Sequence, residues 1–357
     1  MSQIHPIYKE LTKKMKFEKS KFVPTLLQKI ANVEQAKVMY ELPHTPEEIA
    51  KNLKLDKATV DKHLQYLFER GVVTSGKKGW NLVTNPVLLK DFIATAPDKY
   101  WDEEVIDLAR DMSLEEPREQ AERIRRGEEK LPLRLGFRVL PKWRSIKDIP
   151  GVLPIEDVRE IFRNTSPIMV KKCPCRAVHR ERACQGGVPV EACVSTGQSS
   201  RRSVQRGTKG RELTYDELIA FFDEVDKFPV VSLTGNSNRM PMAVCSCCPD
   251  CCGVFIRNSY VKPVLGQYAF AKSRFVVEDN PEECTACGIC TDNRCPVDAI
   301  TMKDFPELGG KRSYTDVEEC IGCGLCVLTC PNEARKMKLV RPPEHIPDPA
   351  SIFDNIT

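Results

Sequence analysis

Between residues 24 and 82 the apolar positions recur first at helical and then at strand spacing. Leu26, Leu27, Ile30, Val33 and Val38 fall near a 3.6-residue period, which predicts a helix over Pro24–Glu41. Thr45-Pro46-Glu47-Glu48 is a helix start: a hydroxyl N-cap, a proline whose missing N–H costs nothing there, and a glutamate placed to close a capping box. The segment EEIAKNLKLD leads into a helix from Lys57 to Arg70, capped by Asp56, with Val60, Leu64, Leu67 and Phe68 on its apolar face. Gly71 ends it, and VVTSGKKGWNLV supplies two short strands around Gly76 to Gly79. From Pro86 to Pro150 charge dominates, with Trp101 and Trp143 available as anchors. LARDMSLEEPREQAERIRRGEEK predicts a solvated helical connector broken near Pro117. Beyond it come a helix at Pro154–Arg163, a buried strand PIMV, a helix from the Thr214–Glu217 capping box to about Lys227, and a strand PVVSLT. The pattern is that of an α+β protein.

The cysteines change the picture more than the overall composition does. The 357 residues are 41% hydrophobic and 29% charged, a globular profile long enough for two or three domains. Seventeen cysteines, an odd number, all fall between Cys173 and Cys330. A disulfide framework would sit in a small secreted domain and pair evenly, so clustering of this kind points to metal. The first residues have no apolar core of a signal peptide, and no run approaches 18 apolar residues, so a cytoplasmic protein without a membrane span is expected.

Residues 284–296 read CTACGICTDNRCP and residues 320–331 read CIGCGLCVLTCP, an internal repeat offset by 36 residues. Three thiolates at two-residue intervals wrap the chain over one face of an iron–sulfur cube. Gly288, Gly322 and Gly324 leave room beside it and free backbone N–H groups for its sulfurs. The fourth iron takes the cysteine before proline from the other repeat. The segment closely resembles bacterial two-cluster ferredoxins. That resemblance implies one 4Fe–4S cluster on Cys284, Cys287, Cys290 and Cys330, and another on Cys320, Cys323, Cys326 and Cys295. Paired zinc sites are the competing reading, but zinc ribbons use two separated C-x-x-C pairs. Four residues, Thr291 to Arg294, separate Cys290 from Cys295 where the family has three. Because Cys295 serves the opposite cluster, the extra residue can be absorbed in the turn.

Nine cysteines remain in two groups: Cys173, Cys175, Cys184 and Cys193, then Cys245, Cys247, Cys248, Cys251 and Cys252. One or two further 4Fe–4S clusters are expected there, with a structural zinc site or redox-active thiols as alternatives. Adjacent cysteines point in divergent directions, so each doublet is expected to divide between sites. The first group could close a cluster alone or exchange ligands with the second, and His179 is a substitute ligand or a neighbour of the site.

The helices and hairpin of residues 22–85 resemble a winged-helix domain. The order of that domain, CxC…C…C, CxCCxxCC, SRFV, the ferredoxin repeat and an RPPEHIP tail resembles 4Fe–4S ferredoxin-type proteins of anaerobic bacteria and archaea. Five segments follow: 22–85 winged-helix-like, 86–150 connector, 151–275 cysteine-rich α/β, 276–340 two-cluster ferredoxin fold, and 341–357 tail. The resemblance implies single-electron relay between redox protein partners. A redox-sensing transcription regulator and an oxidoreductase subunit with a substrate-binding cluster are the alternatives. The formal charge of +4 would fall to about −4 with four clusters bound, and so gives no reason to expect nucleic acid. The recognition-helix candidate carries Lys57, Lys62, His63 and Arg70 but also Asp56, Asp61 and Glu69, and the wing only Lys77 and Lys78. DNA readers present a one-sign face, so DNA is not the expected partner. The run Arg201, Arg202, Arg206, Lys209 and Arg211 either steers an acidic redox partner or is a solvated loop. No dinucleotide fingerprint, phosphate loop or catalytic triad is present.

Overall fold

A computed structural model of the protein describes residues 3–76, 79–129, 135–179, 184 and 186–348. It divides into two compact units. The first is Met1–Glu129, Lys172–Arg182 and Arg202–Lys209, and the second is Lys130–Lys171, Ala183–Arg201 and Gly210–Thr357.

The first unit is helical with one hairpin. The single helix expected over Pro24–Glu41 is two, Val23–Ile30 and Val33–Glu41, because Ala31 is extended and Asn32 forms a capping box with Gln35. The break lets Leu26, Leu27 and Ile30 enter the core separately from Ala36, Val38 and Met39. An earlier helix, Pro6–Lys14, was not legible in the pattern; it buries Tyr8 and Leu11 in the same core. Helices Pro46–Leu53 and Lys57–Glu69 precede the antiparallel strands β1 (Val73–Gly76) and β2 (Gly79–Leu82). The wing lysines Lys77 and Lys78 lie outside the described residues.

At the Thr45 start the Glu48 N–H donates to Thr45 Oγ1 at 3.3 Å, and the Thr45 N–H donates to Glu48 Oε2 at 2.8 Å. Thr45→Ala will therefore cost about 1 kcal/mol, read as a lower thermal midpoint of this unit, and Thr45→Ser will restore it.

The charged stretch is not a broken, solvated connector. One helix, Glu103–Arg125, runs through Pro117 and buries Val105, Ile106, Ala109, Met112 and Ala121. Its apolar stripe is concentrated ahead of Pro117, and buried side chains on both sides of that proline, Met112 and Ala121, hold the helix across the lost N–H. Lys21 clamps the second half through Glu115 (2.6 Å) and Glu119 (2.9 Å). Helix Gly197–Arg206 stands where a solvated loop was the alternative. Arg206 is buried, its guanidinium 4.6 Å from the Phe68 ring centre and 3.7 Å from that of Phe92.

The second unit is built on a six-stranded sheet: β3 (Phe137–Leu140), β4 (Ile168–Lys172), β5 (Glu191–Thr196), β6 (Gly210–Leu213), β7 (Val231–Gly235) and β8 (Ala243–Cys247), in the order β3-β7-β8-β5-β4-β6. The period of two sorts its side chains. Leu140, Val170, Val194 and Val244 face helices Val158–Arg163 and Tyr215–Val225, meeting Ile161, Phe162, Leu218 and Phe222. Val139, Val231, Leu233, Cys245 and Cys247 face the other way, toward Phe255, Phe270, Ile321 and Cys323. The helix expected over Pro154–Arg163 splits at Asp157, which caps the second part by accepting from the Arg159 N–H. Just before the split, Glu156 is buried and paired with Arg274 at 2.7 Å.

The remaining strands pair as β9 (Phe275–Asp279) with β12 (Arg335–Leu339), and β10 (Ile300–Phe305) with β11 (Gly310–Thr315), all antiparallel. They enclose a core of Ile146, Phe275, Val277, Ile300 and Met337 with Cys290, Cys320 and Cys326. Among the described residues no helix is long and apolar enough to cross a membrane.

Candidate metal centres

Two cavities open inside the C-terminal segment. One is lined by Cys284, Cys287, Cys290 and Cys330, and the other by Cys320, Cys323, Cys326 and Cys295. Each is therefore walled by three thiols of one repeat and the fourth of the other.

The backbone beside them repeats as the sequence does. Ala286 and Gly288 have φ of 58° and 77°, and Gly322 and Gly324 have 68° and 79°. Alternating left-handed residues turn successive N–H groups into one concavity, which suits an anionic cluster. The Ser313 N–H donates to Cys284 Sγ at 3.4 Å and the Ala299 N–H to Cys295 Sγ at 3.2 Å. Burial acts to raise the Cys284 thiol, but donors from Ser313 and Ala286 outweigh it and bring its pKa below the ordinary value. Deeper in, burial pushes the Cys326 thiol up to about 12 and holds Cys323 well above its usual range. Loading the second cavity must therefore expel protons. Four thiols per cavity with N–H donors aimed at sulfur suit an iron–sulfur cluster.

The sequence of residues 283–334 matches the family described as "4Fe-4S dicluster domain". This segment binds iron–sulfur clusters. A protein of Methanothermobacter thermautotrophicus, named "Uncharacterized protein", is 36% identical over 59 residues, 16% of this chain and 11% of that protein. The chain thus spans about a tenth of that relative's length. No solved structure matches.

Within the dicluster domain the glycines have a further role beside the one expected. A Cβ on Gly322 would overlap Phe275 O and Ser273 Oγ, and one on Gly324 would stand 2.9 Å from Ser145 Cβ and overlap its hydroxyl. These two glycines let the cysteine loop press against neighbouring chain, whereas a Cβ on Gly288 would meet only Thr291 Oγ1, at 3.9 Å.

The inserted residue before Cys295 is absorbed by Asn293, with φ of 50°. Its neighbour Arg294 is buried and donates to the carbonyls of Asp226 (2.8 Å), Phe228 (2.9 Å) and Leu325 (3.3 Å).

A second buried arginine was missed altogether in the sequence. Arg335 Nη1 lies 3.5 Å from Cys290 Sγ and 2.8 Å from Ser313 Oγ, and Nη2 is 2.9 Å from the Asp279 carboxylate. The Cys326 thiol of the other cavity also acts electrostatically on this guanidinium, so one cation is within reach of a thiol of each cavity. The signal was available: its counterpart in the first repeat, five residues after the cysteine-proline cysteine, is Ile300.

The central cysteines are shared between the units. Cys173 and Cys175 belong to the first, where Lys90, itself buried, reaches Cys175 Sγ at 3.0 Å and Asp91 at 3.0 Å. His179 is buried one residue beyond the short helix Pro174–Val178 of that unit. In the second unit Cys193 stands directly opposite Cys245 across β5 and β8. Cys247, two residues along β8, projects to the same face and contacts Cys245 and Cys252. Cys184, Cys248 and Cys251 gather separately, with Asp250 beside them. Both doublets are therefore split, Cys247 and Cys252 to one group and Cys248 and Cys251 to the other.

Proposed function

We propose that the chain relays single electrons between redox protein partners through at least three 4Fe–4S clusters. Two belong to the dicluster domain, each on the four thiols that line one cavity. The third is assigned to Cys193, Cys245, Cys247 and Cys252. The observation that carries this reading is the shared packing of Cys323 with Cys247 and Cys252 in one apolar cluster with Val231, Phe255 and Ile321. A thiol of the dicluster domain thereby adjoins thiols of the central sheet, as a relay requires.

When bound, each cluster supplies one-electron chemistry between its 2+ and 1+ states. The chain does the rest. N–H groups at Cys284 and Cys295 support negative charge on sulfur, Arg335 places a cation between the two thiol sets, and burial of Cys247, Cys252, Cys323 and Cys326 keeps water away. Free thiolate sites of this number imply a reducing compartment.

The first unit is read as winged-helix-like and as a docking or packing module rather than a DNA reader. Lys57 is paired with Asp61 at 2.7 Å, His63 with Glu34 at 2.8 Å, and Arg70 is buried with its guanidinium on Tyr100 O. That leaves Lys62 as the exposed basic residue of the helix. Little of the face expected for phosphates remains uncompensated.

Anaerobically purified protein should contain about twelve irons per chain. Cys193→Ser together with Cys247→Ser should bring this to about eight while both dicluster EPR signals persist. Eight or fewer irons in the unaltered protein would remove the third cluster from the relay.

A further inference from the structure

We infer that Cys184, Cys248, Cys251 and Asp250 form a mononuclear, zinc-type metal site, separate from every cluster of the relay. Their four ligand atoms all lie within 4.8 Å of one another. Ligands about 2.3 Å from one tetrahedral ion stand about 3.8 Å apart, so closing round a single ion needs a contraction of only about 1 Å. A cube puts each thiolate on a different iron and so holds them farther apart. The dicluster cysteines are the internal standard: among the described residues they are not gathered to this spacing, and this set is.

The surroundings fit one closed-shell ion. The three thiols are 2–9% exposed and packed among Val188, Ala192, Val225 and Val230, an apolar shell that excludes water from the sulfurs. The Asp250 carboxylate comes from the solvent side, with Oδ1 3.8 Å from Cys184 Sγ. Three sulfurs and one oxygen suit Zn2+, which is borderline-soft and indifferent to geometry beyond the tetrahedron. The ligands also come from distant parts of the chain. Two flank Asp250 in the loop after β8 and the third is Cys184, more than sixty residues earlier, so the ion would fasten that loop to the segment before β5.

The test is metal analysis of the full-length protein, prepared anaerobically with iron and zinc both supplied. We expect one zinc per chain beside the iron. Cys251→Ser should lose the zinc and leave the iron count unchanged, and added Co2+ should give thiolate-to-cobalt absorption in the zinc-free wild type but not in the variant. Asp250→Asn, at an exposed position, should weaken zinc at least tenfold in competition with a chelator. Loss of iron instead of zinc in Cys251→Ser would overturn the assignment, as would unchanged zinc affinity in Asp250→Asn. Because the relay is scored by iron and this site by zinc, either can fail without the other.

Discussion

Gly322→Ala will empty the second cavity of the dicluster domain. The residue lies between Cys320 and Cys323 with φ of 68°, a left-handed conformation in which a side chain costs about 1 kcal/mol. Sterics add more. The new Cβ would stand 2.9 Å from the Phe275 carbonyl carbon and overlap its oxygen, and that oxygen belongs to β9, which cannot rotate away as a side chain would. Relief requires the loop to move, and with it three of the four thiols. The expected result is loss of about four irons and one EPR signal, with a destabilisation of about 3 kcal/mol or more. Gly288→Ala is the control. Its φ of 77° carries the same conformational cost, but its Cβ has room, so iron should be retained. Equal loss in both variants would show that backbone conformation alone, and not the contact with β9, decides the matter.

Arg335→Met will lower the reduction potentials of the dicluster domain. A cluster gains a negative charge on reduction, and a buried guanidinium in contact with Cys290 and within electrostatic reach of Cys326 stabilises that charge where water cannot screen it. Removing it should move both potentials down, on the order of tens of millivolts, in an EPR-monitored redox titration. Stability should fall as well, by about 3 kcal/mol, because Asp279 loses a buried partner 2.9 Å away. The potential separates the two roles. A purely structural arginine would give a less stable protein with unshifted potentials, and Arg335→Lys, which keeps the charge, should keep most of the potential.

The parts of this protein that were legible in its sequence are those set by short-range rules. The capping boxes at Thr45 and Thr214, the apolar face of Lys57–Glu69 and the strand at Val231 depend on neighbours a few residues away. The repeated cysteine spacing is likewise local. What escaped depends on distant partners. Apart from the break at Asn32, whose reciprocal cap Gln35 is only three residues on, this holds throughout: Glu103–Arg125 looked solvated because Glu115 and Glu119 find Lys21 in the loop before Val23–Ile30. The division of the central thiols needed the register of β5 on β8, which no spacing within either group encodes. Arg335 was passed over for the same reason: a charged residue in a short strand is ordinarily exposed, and its burial is explained by distant partners, Asp279, Ser313 and the Cys290 thiol.

The one-residue insertion before Cys295 has a consequence for how this domain can be handled. Arg294 ties the first repeat to the carbonyls of Asp226 and Lys227, just past the end of helix Tyr215–Val225, and Cys323 O accepts from the Lys142 N–H at 3.0 Å. Ile146 sits inside the cysteine core. The dicluster domain is thus riveted into a larger body, so that excising residues 276–340 would cut through its walls rather than along a seam.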